Sequence, residues 1–245
     1  MNQNLLLTTL VHLHEKKKLP SDNPALKPIF SKLDYKKLGS IYCDEGGEAF
    51  WKDRKIPCQK LGARIAQFLL QRLPPTGCSL YMGAGVAEIP ILCSETSNTQ
   101  RSAQAYNLRS HEVHILNQAC SGLPFSFTAG DAQLASGSFD HLWAVSVLND
   151  PECFPEVSAI SYGRANPASV NIEKFSQERE RIRCLVNSCM KKLTRSGLVT
   201  TSVEEIGWFT EWCDSQVVGY EIIEQTFPTA IVGDPVCFIR VLSPD

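Results

Sequence analysis

Apolar residues recur along this chain with two different periods, and the change of period divides it. Residues 4 to 18 place Leu6, Leu10, Val11 and Leu13 at helical spacing. Residues 58 to 73, CQKLGARIAQFLLQRL, repeat that pattern and end at Pro74 and Pro75. Between these helices Pro20, Pro24 and Pro28 interrupt the chain, and CDEGGEAF (43–50) reads as a turn. After the proline pair, short apolar runs alternate with helical patterns. The runs are SLYMG (79–83), AQAYNL (103–108), FSFTAG (125–130), HLWAVSVL (141–148) and GLVTTSV (197–203). The helical patterns are AEIPILCSE, which Pro90 weakens, SHEVHILNQAC and FSQERERIRCLVNSCMKKL. This alternation predicts a parallel sheet with right-handed crossovers. YEIIEQTF and PVCFIRVL, parted by Pro228 and Gly233-Asp234, predict a closing antiparallel pair. The expectation is an α/β core over residues 78–245, with an N-terminal helical cap over 1–77 and an insertion at 151–175.

Composition changes this picture little. A chain of 245 residues with 43% hydrophobic and 20% charged residues buries a sufficient core without disulfides or metals. The net charge of −2 argues against a chain that binds DNA by its overall charge. Seven lysines up to Lys37 stand against Glu15, Asp22 and Asp34, a basic excess that suits a solvated helix face or an acidic partner such as RNA. The ten cysteines form no CxxC pair and have no histidine at a zinc-ligand offset, so scattered reduced thiols and no metal site are expected. The N-terminal apolar stretch precedes its lysines, the reverse of a signal peptide, and is too short to span a bilayer. A cytoplasmic setting without membrane contact is the expectation.

The chemistry concentrates at strand ends. LYMGAGVAE (80–88) breaks from a strand into Gly83-Ala84-Gly85 and then turns helical. Glycines at such an edge permit a tight turn and close backbone approach, and the N–H groups that follow can meet an anion. A purely structural turn is the other reading. This run, together with TAGDAQ (128–133), SFDHLWAVSVLND (138–150) and KKLTRSGLV (191–199), resembles the class I S-adenosylmethionine-dependent methyltransferases. The resemblance covers roughly residues 79 to 242 and implies a Rossmann-like, seven-stranded, mostly parallel sheet with a closing antiparallel strand. It implies S-adenosylmethionine as cofactor, with Gly83, Ala84 and Gly85 under its methionyl part and Asp131 and Ala132 at the adenine. Asn107 would stand at the ribose, and Ser146 to Asp150 would line the cleft beside the sulfonium. Two positions depart from the family. Tyr81 stands where an acid is usual near the start of the glycine motif, and Asn107 where an acid usually grips both ribose hydroxyls. An amide accepts one hydrogen bond and donates another but lacks the charge-assisted strength of a carboxylate. A nicotinamide-binding domain is a poorer match, since Glu88 and Asn107 replace the glycine and acid its fingerprint needs.

Methyl transfer needs alignment more than a dedicated base, so the absence of a triad does not exclude an enzyme. Asp150, after the fourth strand in VLNDPECF, is a candidate to orient an acceptor or take its proton, or else a plain turn residue. Tyr162 and Arg164 are the notable members of the long 151–175 connection, which suits a pocket-shaping segment. His141 reads as structural, and His111 and His114 as a solvated helix face. EAFWKDRK (48–55) sets Phe50 and Trp51 among cations, which suits stacking on a base or, equally simply, docking of the cap on the core. Two functions follow from the resemblance. One is a methyltransferase acting on a small molecule, RNA or protein; the other is a methyltransferase-like binding or scaffold module without catalysis.

Overall fold

The computed structural model describes residues 26–42, 47–164, 170–229, 231 and 233–243. The helix expected over residues 4–18, with His12 and His14, and most of the lysine-rich segment lie outside the described residues.

Four helices precede the sheet: α1 (Leu26–Lys32), α2 (Tyr35–Tyr42), α3 (Gly47–Lys52) and α4 (Lys55–Leu69). The core then runs β1 (Thr76–Met82), α5 (Ile89–Asn98), β2 (Gln100–Asn107), α6 (Ser110–Ala119), β3 (Phe127–Ala129) and β4 (Phe139–Ala144). It continues with α7 (Pro155–Ser161), α8 (Ile172–Met190), β5 (Leu193–Ser202), α9 (Ile206–Ser215), β6 (Tyr220–Phe227) and β7 (Val236–Val241). The seven strands form one sheet in the order β3-β2-β1-β4-β5-β7-β6. Strands β1 to β5 pair in parallel, and β7 is antiparallel to both of its neighbours. The sheet expected from the alternating pattern is the sheet observed.

Proline accounts for the helices that the pattern obscured. Pro28, Pro57, Pro90 and Pro155 all sit within the first turn of their helices, where no intrahelical N–H bond is lost. Pro28 therefore opens α1 rather than breaking the chain, and Pro90 starts α5. Part of the expected turn at 43–50 is α3, and the 151–175 connection contains α7. Helix α9 was not anticipated; its sequence IGWFTEWCDS is short, and it buries Phe209 and Cys213 one turn apart.

The sheet is buried on both faces. Neighbouring residues alternate across it, so Leu80, Leu142, Val199 and Ile239 enter one core with α8 and α9. Tyr81, Trp143, Leu198 and Phe238 enter the other, which they share with α1 to α6. Among the described residues no helix is long and apolar enough to cross a membrane.

On the second face a polar network crosses four strands. Arg101 of β2 is buried, donates from Nε to Glu95 Oε2 at 3.1 Å, and makes two bonds to Asp140 at 2.8 and 2.6 Å. Glu95 of α5 also accepts from Ser79 at 2.6 Å and from the Tyr81 hydroxyl. His141 lies between Ser79 (3.1 Å) and Thr200 (2.9 Å), the structural role expected of it. Burial alone would raise the Glu95 pKa, but His141, Ser79 and Tyr81 together bring it down to about 2. Replacing the guanidinium leaves two carboxylates without their cation in the interior. Arg101→Met is therefore expected to destabilise the protein by about 3–5 kcal/mol. Urea denaturation checks this as a lowered midpoint at unchanged slope.

Candidate functional site: a two-compartment cleft

The C-terminal ends of β1, β2 and β4 open onto a cleft with two compartments. The first is a cavity of about 570 Å³ lined by Gly83, Asn107, Asp131, Ala132 and Ser146. The second, about 470 Å³, lies towards the N-terminal helices and is lined by Trp51, Gly85, Glu88, Trp143, Asn149 and Tyr162, among others. Gly83, Arg109, Ser146, Asp150 and Glu152 line both.

The glycine loop owes its shape to crowding. Gly83 has φ +71°, and a Cβ there would stand 2.6 Å from Val147 Cγ2, so no larger residue fits. Ala84 is fully buried and lines neither compartment; its N–H donates to Tyr106 O at 2.9 Å. Its carbonyl accepts from the Asn107 amide at 2.8 Å, while Asn107 Oδ1 accepts the Arg109 N–H at 2.8 Å. Asn107 thus ties the end of β2 to the glycine loop. The Gly85 N–H donates to Glu88 Oε2 at 2.7 Å, so the chain's own carboxylate holds this loop donor. Asp131 accepts from the Gln133 backbone N–H at 2.8 Å and from its side chain at 3.0 Å.

The loop after β4 separates the compartments and is gripped from β5. Buried Glu205 accepts the N–H groups of Ser146, Leu148 and Asn149 at 2.9, 2.5 and 3.1 Å. Ser146 takes a positive φ of 55° within this turn. Arg109 reaches across from the end of β2 and pairs with Asp150 at 3.1 Å and Glu152 at 3.0 Å. The other Asp150 oxygen accepts the Glu152 N–H at 2.8 Å, so this side chain serves as turn and ion-pair partner while lining the cleft. Tyr162 lies in the second compartment with the Arg164 guanidinium 5.3 Å from its ring centre. Burial, with the charges of Glu205 and Asp234, pushes its hydroxyl well above the usual tyrosine range, which keeps it protonated. Phe50 and Trp51 pack against Tyr42, and Trp51 is almost fully buried, which is the docking arrangement.

Three carboxylates at the cleft escaped the sequence reading as site residues: Glu88, Glu112 and Glu205. Glu112 accepts from the Tyr42 hydroxyl, next to Gly85. Glu112 follows Asn107 by five residues in a helix that reads as amphipathic, and only its burial marks it. Tyr81, at the position where an acid is usual, donates to Glu95, so the negative charge sits on α5 instead of β1.

The strand order, with β7 alone antiparallel to its neighbours, is the class I S-adenosylmethionine-dependent methyltransferase fold. Among solved structures, the magnesium protoporphyrin IX methyltransferase of Synechocystis with bound SAM matches with a TM-score of 0.54 at 12% identity. That match covers 89% of this chain and 96% of that one. The same enzyme with bound SAH matches with a TM-score of 0.51 at 13% identity, over 84% and 93% of the two chains. The likeness is one of fold. No family model and no curated protein matches the sequence.

Two predictions follow from these bonds. Asn107→Asp, which restores the usual acid, removes the donor to Ala84 O and sets two acceptors face to face. It is expected to destabilise the protein by about 1–3 kcal/mol in thermal or chemical unfolding. Burial, opposed by the N–H of Gly85, raises Glu88 from 4.5 to about 7, and Glu205 shifts the same way. Between those values the folded state keeps a proton that the unfolded chain has lost. Stability is therefore full below pH 4.5 and falls as pH rises towards 7, by on the order of 3 kcal/mol for Glu88. Glu88→Gln should flatten this fall when denaturant midpoints at pH 5 and pH 8 are compared; a wild-type slope in the variant would assign the proton elsewhere.

Proposed function

We propose that this protein is an S-adenosylmethionine-dependent methyltransferase. The observation that carries the proposal is the division of the cleft: two compartments of ligand size that meet at Gly83 and Ser146. One suits a donor and the other an acceptor, and a transferred group would cross at the shared rim. The adenosyl part fits the first compartment. Asp131 keeps free lone pairs beyond its bonds to Gln133 and would accept from the adenine amine, next to Ala132. Asn107 Oδ1, although bonded to Arg109 N–H, has a second lone pair for a ribose hydroxyl. Gly83 and Gly85 would lie beneath the methionyl part, with Ala84 holding the loop from below. When bound, S-adenosylmethionine supplies a methyl group already activated on a sulfonium. The chain's own work is then to align the acceptor and keep water out. Glu205 fixes the dividing loop, and the Arg109 pairs with Asp150 and Glu152 lie at the junction of the compartments. Asp150 and Tyr162 are the candidates to orient the acceptor. Asp150 carries the charge for a proton, and Tyr162 donates.

A binding or scaffold role without catalysis is the second reading. It is favoured by the internal partners of Asn107 and of the Gly85 N–H, which leave fewer groups for a cofactor. Calorimetric titration separates the two. Binding of S-adenosylmethionine and S-adenosylhomocysteine is expected, weakened by about 1–3 kcal/mol in Asp131→Ala. Absence of binding at millimolar ligand would sink the enzyme reading, and an unchanged affinity in the variant would misplace the adenine.

A further inference from the structure

Nine buried side-chain nitrogen and oxygen atoms lack a hydrogen-bond partner among the described residues, and five of them belong to residues lining the second compartment. They are Trp51 Nε1, Trp143 Nε1, Thr229 Oγ1 and both amide atoms of Asn149. Buried polar groups are nearly always paired, because leaving one unpaired destabilises the fold. A concentration of such atoms at one cavity marks groups kept for a ligand. Asn149 is the most informative. It is 1% exposed, its backbone N–H is fixed by Glu205, and its side chain has neither donor nor acceptor satisfied.

We propose that the second compartment binds an uncharged, planar aromatic small molecule whose edge carries a hydrogen-bond donor beside an acceptor, as a lactam does. This rests on the methyltransferase reading in so far as the molecule is the acceptor of the methyl group; its binding needs no cofactor. An asparagine amide offers an acceptor and a donor side by side, and a lactam edge answers both with two parallel bonds. The two indole N–H groups supply further donors for ring oxygens or nitrogens, and the rings of Trp51, Trp143 and Tyr42 provide flat apolar walls. The cavity's size is that of a small-molecule site. Charges of both signs line it, and the cation Arg109 is already paired with Asp150 and Glu152, so nothing favours an ionised ligand.

Calorimetry without cofactor tests this, with 2-quinolone as probe and 2-methoxyquinoline, which has the same rings but no N–H donor, as its match. 2-Quinolone is expected to bind at least about tenfold more tightly, and Asn149→Ala should abolish the preference. Trp143→Phe, which keeps a ring but removes one N–H, should weaken 2-quinolone several-fold. Asn149→Ala in the free protein should melt no lower than wild type, and up to about 2–4 °C higher, since an unpaired amide is removed. Equal affinity for the two probes, no saturable binding of either, or a lowered melting point in Asn149→Ala would overturn the proposal. So would tighter binding of an oligouridine RNA that falls steeply with salt, which would make the ligand a nucleic acid. S-Adenosylmethionine titration is read separately, so loss of the methyltransferase reading and loss of this one are distinct results.

Discussion

The guanidinium of Arg101, buried between Glu95 and Asp140, sets the frame for the rest of the sheet. A parallel sheet covered on both faces has no water to satisfy polar side chains, so every charge inside it must find its partner within the protein. Here one cation serves two carboxylates, and Ser79, Tyr81, His141 and Thr200 take up the remaining bonds. The network joins α5 to β1, β2, β4 and β5. It lies beneath the cleft, with Tyr81 only two residues before Gly83. The acid that the fold usually carries on β1 has in effect moved to the neighbouring helix, and a tyrosine hydroxyl reaches across to it.

The same shift recurs at the cleft itself. The strand ends carry a tyrosine and an asparagine, and the carboxylates come from the segments that follow the strands. Glu88 holds the Gly85 N–H, Glu112 holds Tyr42, and Glu205 holds three N–H groups of the loop after β4. Each carboxylate fixes a segment of the cleft wall and needs no ligand to do so. Such a wall is pre-organised, which lowers the ordering cost of binding. The charge is purchased in a desolvated setting, and the raised Glu88 and Glu205 pKa values are the physical sign of it.

Alternation of apolar runs was enough to predict the sheet, because a strand buried on both faces must be a short apolar run bounded by turns. The closing antiparallel pair and the glycine loop were legible for the same reason. Helices α1 and α9 were not, since proline in a first turn looks like a break and a ten-residue helix with few charges looks like a strand. Among site residues, Gly83, Asn107, Asp131, Ala132 and Ser146 meet at one compartment, as motif position suggested. Glu88 and Glu205 carry no such signal. A glutamate just after a glycine loop or a strand reads as solvated, and only tertiary contact reveals that its carboxylate faces backbone N–H groups. Asn149 was visible merely as the neighbour of Asp150, because an unpaired amide is a property of its surroundings and of nothing local.

The two compartments differ in how their polar groups are spent. In the first, Asn107, Asp131 and the Gly85 N–H near it already have partners inside the chain. A ligand there uses leftover lone pairs and shape, so its affinity rises little with each contact made. In the second, Asn149, Trp51 and Trp143 hold donors and an acceptor with no partner. There a matching ligand relieves an existing penalty, whereas a mismatched one leaves buried groups unpaired, and the difference between the two is large. Discrimination between ligands therefore resides on the Asn149 side of the dividing loop. The grip of Glu205 on that loop, which carries both Ser146 and Asn149, is what links the two compartments.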